Sequence, residues 1–163
     1  MSKKALKKYL GELSKEQLED QIIDLYGRLK EVKEFYNFVF NPNESKRVEE
    51  CKFKISKEYF PLTRRKPKKR RSIAQKCIKA FLKLGMEPSS IADLMLFNLE
   101  TALLFSSDNT ITQESFYISI HRSFEEAKKY ITESGLIVTF QDRIEEIKEK
   151  VWDQEWFNKE AFR

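Results

Sequence analysis

The stretch PSSIADLMLFNLETALLF, residues 88–105, decides the fold. Pro88 followed by Ser89 and Ser90 opens a helix, because the missing proline N–H is not needed in a first turn. Ile91, Leu94, Met95, Leu99, Ala102 and Leu103 then recur at helical spacing, and Leu96, Phe97, Leu104 and Phe105 broaden the stripe. This is the most apolar helix of the chain, so it belongs at the centre of a bundle.

The flanking segments read as helices too. Ser2 caps a short helix carrying Ala5, Leu6, Tyr9 and Leu10, which stops at Gly11. Ser14 and Gln17 form a capping box, in which each side chain satisfies a backbone N–H of the other. From there Leu18, Ile22, Leu25, Tyr26, Leu29, Val32, Tyr36 and Val39 predict one long helix of about seven turns, running through Gly27. Asn41-Pro42-Asn43-Glu44 predicts a third start, with Pro42 at the first helical position. Val48, Cys51, Ile55 and Tyr59 line that helix, which ends at Phe60-Pro61. A fourth carries Ile73, Ala74, Cys77, Ile78, Phe81 and Leu82 and closes at Gly85. Beyond the central helix, residues 106–110 read as a polar loop. Thr112 opens a helix with Phe116, Tyr117, Ile120, Phe124, Ala127 and Ile131, and Ser134-Gly135 ends it. GLIVTF, the one strand-like run, has no strand to pair with and reads as the start of a last helix. The expectation is an all-α, single-domain bundle, or stacked hairpins, of six to seven helices over residues 1–163.

Composition agrees. The 163 residues suit one domain, 35% are charged, and Gly and Pro number four each. No apolar run approaches the roughly 18–20 residues of a membrane span. The N-terminal MSKKALKKYLGEL has no continuous apolar segment to act as a secretory signal, so a cytoplasmic location and no membrane partner are expected. The two cysteines, Cys51 and Cys77, lack metal-ligand spacing and read as buried reduced thiols.

The net charge of +5 hides an asymmetry. Residues 46–79 hold 14 Lys or Arg against three Glu, a net of +11. Its core is the loop at 62–72, where RRKPKKRR has seven basic residues in eight. Arg64, Arg65, Lys66, Lys68, Lys69, Arg70 and Arg71 are the candidate anion-binding residues. They cluster where a helix begins, near Lys68 or, with a Ser72–Gln75 capping box, at Ile73. Cations are disfavoured at that positive end of the macrodipole, by a few tenths to about 1 kcal/mol each. An anion there would offset the cost, held by free N–H groups and arginine forks. Nucleic acid, RNA or DNA, is the favoured partner. The acidic C-terminal helices can instead supply the anion internally, and an acidic protein is the alternative partner. Tyr59 and Phe60 beside the loop offer a stacking surface or suit the core.

Catalytic patterns are absent. His121 is the one histidine, with Glu125 a turn away, and no nucleophile motif, phosphate loop or metal set accompanies it. No enzymatic activity, cofactor or metal is expected. Asp93 and Glu100 interrupt the most apolar helix and form a candidate buried polar site. Glu100 in mid-helix needs a partner there, and the basic segment is one source. The aromatic tail at 152–163 is a second candidate surface. Trp152 and Trp156 share a face, Phe157 widens it, and Phe162 falls off the spacing at a fraying end.

KKYLGELSKEQLEDQIIDLY, FYNFVFNP, CKFKISKEYFP, RKPKKRRSIAQKCIKAFLKLG and SSIADLMLFNLE together resemble a family of short helical bacterial proteins, largely from Bacteroidetes, known only as a domain of unknown function. The resemblance extends through the tail WFNKEAF. It implies a single helical domain in a bacterial cytoplasm, and it brings no activity, ligand or catalytic residue.

Overall fold

The computed structural model describes residues 2–163 and is helical throughout, with no strand among the described residues. Eight α-helices follow one another: α1 (Lys3–Gly11), α2 (Lys15–Arg28), α3 (Lys30–Phe40), α4 (Glu44–Tyr59), α5 (Arg71–Leu84), α6 (Pro88–Asp108), α7 (Glu114–Glu133) and α8 (Ile137–Asp153). A 3-10 turn, Lys159–Phe162, closes the chain. The count exceeds the expected six to seven because the long second helix is two. Leu29 leaves helical geometry, with φ −113° and ψ 117°, and ends α2 while starting α3. Gly27, two residues earlier, has nothing within 4 Å of where a Cβ would stand, and α2 buries no residue. Neither packing nor propensity carries the helix past that point.

The locally coded starts and stops are where the sequence places them. Ser2 accepts from the Ala5 N–H, and the Ser14–Gln17 box is complete, at 3.2 and 2.9 Å. Gly85, at φ 66°, takes the left-handed conformation that ends α5. GLIVTF does begin a helix. Three expected starts differ, and α6 runs on to Asp108, into the expected loop at 106–110; α7 opens at Glu114 rather than at Thr112. α4 opens at Glu44, leaving Pro42 outside it. The Glu44 carboxylate instead accepts from the Glu87 N–H and Ser90 Oγ at the head of α6. α5 opens at Arg71, so Ser72 lies inside it and the expected capping box does not form.

The chain forms two compact units, Met1–Asn43 and Glu44–Arg163. In the first, Phe38 is the one buried residue described, and an edge-on contact of Tyr26 with Tyr36 ties α2 to α3. In the second, α6 packs against α4, α5, α7 and α8. Eleven of its 21 residues are buried, with Ala92, Leu94, Leu96, Leu99 and Ala102 wholly enclosed. The most apolar stretch is therefore the centre of this unit, as its composition requires. No described helix is long and apolar enough to cross a membrane.

Candidate anion-binding site

The basic loop joins α4 to α5, and one residue governs its path. Glu58, in the last turn of α4, accepts through its carbonyl from the N–H groups of Lys68 and Lys69, at 2.9 and 3.0 Å. Its carboxylate accepts both arms of the Arg70 guanidinium, Nε and Nη2, at 2.8 Å each. The chain thus returns to the residue from which it departed. Arg70's hydrogen bond, outweighing burial, holds the Glu58 carboxyl below its ordinary value. Lys69 adopts φ 52°, uncommon for a residue with a side chain, and its Nζ lies 5.7 Å from the centre of the Phe105 ring. Arg71 reaches α7, donating from Nε to Ser123 Oγ at 2.8 Å and from Nη2 to Glu126. Gln75 donates to the second Glu126 oxygen.

The seven candidate cations therefore divide. Arg70 and Arg71, at the head of α5, are neutralised by Glu58 and Glu126. The anion that offsets the unfavourable helix end is supplied from within, and no external anion is required there. Lys69 is half-buried against an aromatic ring, and Lys68 lies close enough to Glu58 to help lower its carboxyl. Arg64, Arg65 and Lys66 remain exposed and form no salt bridge among the described residues. Arg65, Lys66, Lys68 and Arg70, together with Lys57, line a hollow of about 400 Å³. A second hollow of about 150 Å³ shares Lys68 and adds Lys69 and Arg71. Tyr59 is 2% exposed, its ring 5.8 Å from Phe105, so it is core. Phe60 and Leu62 are exposed beside the cations.

Asp93 and Glu100 are brought together by a residue the sequence did not single out. Arg143 of α8 donates Nε and Nη2 to Glu100 at 2.7 and 2.9 Å, and Nη1 to Asp93 at 2.8 Å. Lys52, from the basic segment, completes the set with 2.8 Å to Asp93. Burial works to raise the Asp93 carboxyl, but Lys52 and Arg143 outweigh it and hold it low. Two carboxylates and two cations balance, and the group clamps α4, α6 and α8 together.

The tail folds back on the bundle. Trp156 is 3% exposed and Phe162 is fully buried, so neither forms a surface and the end does not fray. Trp156 packs edge-on against Phe116 and Tyr117, and Phe162 lies against Phe124 and His121. His121 Nε2 is 3.0 Å from the Ala161 carbonyl, a latch for the tail rather than a partner of Glu125. Trp152 is half-covered beneath Lys159 and Arg163, and Phe157 alone of the three candidate aromatics stands exposed.

Glu58, Ser123, Glu126 and Arg143 are the site residues that sequence reasoning missed. Glu58 had a signal: it is the one acid in residues 51–79, immediately before the loop. Glu126 had only the general signal of the acidic C-terminal helices, and Ser123 and Arg143 had none, because each of the three acts 43 or more residues away along the chain.

The model of a family of unknown function, DUF6155, matches residues 1–163, and the chain belongs to that family. Neither a curated protein nor a solved structure matches it.

Proposed function

Because that family carries no assigned function, we propose from the residues themselves that this is a non-enzymatic binding module whose basic loop contacts nucleic acid, RNA or DNA. One observation carries the reading. Arg64, Arg65 and Lys66 stand exposed and unbridged on a loop whose two other arginines are tied to internal acids, beside a concave surface lined mainly by cations. Internal acids account for Arg70 and Arg71 and leave these three without a counter-charge. Phosphate oxygens spaced along a polymer suit several such cations at once. Phe60 and Leu62 offer apolar contact for unstacked bases. No base-reading motif accompanies the loop, so binding is weakly sequence-specific and strongly salt-dependent.

The structure also selects the variant that tests this. Replacing Arg70 or Arg71 breaks internal ion pairs, so loss of binding there would be confounded by loss of fold. The R64S/R65S/K66S variant touches no described salt bridge. It should fold as the parent does, lose about tenfold or more in affinity for mixed-sequence RNA or DNA at moderate salt, and show a salt slope shallower by about 2. Unchanged affinity would overturn the reading. A parent protein that ignores nucleic acid but captures acidic polypeptides through the same three residues would replace it with the acidic-partner alternative.

A further inference from the structure

α4 and α5 lie side by side, and each presents one cysteine to the other. Cys51 lies midway along α4 and Cys77 midway along α5, and the two thiols are near enough to perturb each other. Both are free thiols. Their burial, at 7% and 8% exposure, agrees with what their apolar faces imply, but the pairing was not legible from their separation in sequence. Both also line one hollow of about 350 Å³, built from α4 and α5 alone, whose wall carries Arg47, Lys54, Lys76 and Glu50.

Two neighbouring thiols are not equivalent. The one that accepts the S–H hydrogen bond is stabilised as a thiolate, and the donor is held protonated. Cys77 is the acceptor: the Cys51 hydrogen bond, opposed by burial and aided by the Lys54 charge, brings it down to about 7. Cys51 is driven upward by donating that bond, by burial and by the Cys77 charge. A thiolate with a neighbouring protonated thiol, at the wall of an open hollow, is the arrangement of an attacking and a resolving sulfur.

We propose that Cys51 and Cys77 form a reactive dithiol whose oxidant is hydrogen peroxide or a comparably small hydroperoxide. The Cys77 thiolate attacks one peroxide oxygen. An S–O bond forms as the O–O bond breaks, sulfur is oxidised to the sulfenic acid, and the departing hydroxide takes a proton and leaves as water. The Cys51 sulfur then attacks Cys77. An S–S bond forms, the S–O bond breaks, and the Cys51 proton leaves with the hydroxyl as a second water. The two thiols and one peroxide become one disulfide and two waters. The oxidant is small because the sulfurs are nearly covered, and a bulky disulfide would not reach them.

The test treats the full chain with hydrogen peroxide at neutral pH, then counts free thiols after denaturation and maps cross-linked fragments by mass spectrometry. Both thiols should be lost together, with an intrachain Cys51–Cys77 bond that dithiothreitol reverses. In C51S, Cys77 should stop at the sulfenic acid and be captured by dimedone. In C77S, Cys51 should stay reduced under the same exposure. Retention of both thiols in the folded parent, cross-links between chains only, reaction only after unfolding, or equal reactivity of the two variants would overturn the assignment. The thiol count on the parent protein decides the matter whether or not the variants fold. It is independent of nucleic-acid binding.

Discussion

A single carboxylate, that of Glu58, takes both arms of Arg70, while the carbonyl of the same residue takes two backbone N–H groups. Its pH behaviour follows. The folded-state value is depressed below the ordinary 4.5, so the pairing contributes fully above that value and is lost as the pH falls through the depressed one. The parent protein should therefore lose thermal stability faster than E58Q on acidification below about pH 4.5, and the two should converge in acid; parallel curves would remove Glu58 as the anchor. Arg143 is the other residue with a large expected effect. R143A leaves Asp93 and Glu100 facing each other with Lys52 alone, at a cost of about 2 kcal/mol in denaturant unfolding. The D93N/E100Q/R143M variant should recover most of that loss if the cluster is structural. The sequence singled out Asp93, Glu100 and the cations, because charge in an apolar or crowded setting stands out. It did not identify Arg143, because nothing in helical periodicity says which polar residue of α8 will meet which acid of α6.

At the scale of elements, the starts and stops coded by neighbouring residues were legible: Ser2, the Ser14–Gln17 box and Gly85 act within one turn of where they stand. The break at Leu29 was not, because Gly27 alone does not break a helix and the deciding term is burial that is missing. The closing segment shows the same division. Helical spacing grouped Trp152 with Trp156, but whether that face looks outward depends on α7, a distant element. W156A removes an enclosed indole and should destabilise the unit by about 3 kcal/mol in chemical denaturation. It therefore reports on the fold and not on any partner. F157S removes a mostly exposed ring with one edge-on contact to Tyr117, should cost about 1 kcal/mol or less, and is the variant with which to probe contacts of the tail.

Across the whole molecule, one apolar helix was enough to identify the fold class and the centre of the Glu44–Arg163 unit, because α6 must be enclosed wherever its neighbours come from. The charge asymmetry was equally plain in the totals, but not its partition into tied and free cations, which needed the positions of Glu58 and Glu126. That partition bears on what a protease would do. Arg64 and Arg65 are exposed cleavage points, Lys66 being protected by the proline that follows it, and both flanks of the loop are fastened by Glu58, Arg70 and Arg71 to folded helices. Brief trypsin treatment should nick the chain there first and yield two fragments on a denaturing gel, while native mass spectrometry still finds one particle, of parental mass plus one water. Fragments that drift apart without denaturant would show that the fastening is too weak to matter. If they stay together, the molecule can be assembled from two separately made peptides, with the loop as the natural place to join, lengthen or replace.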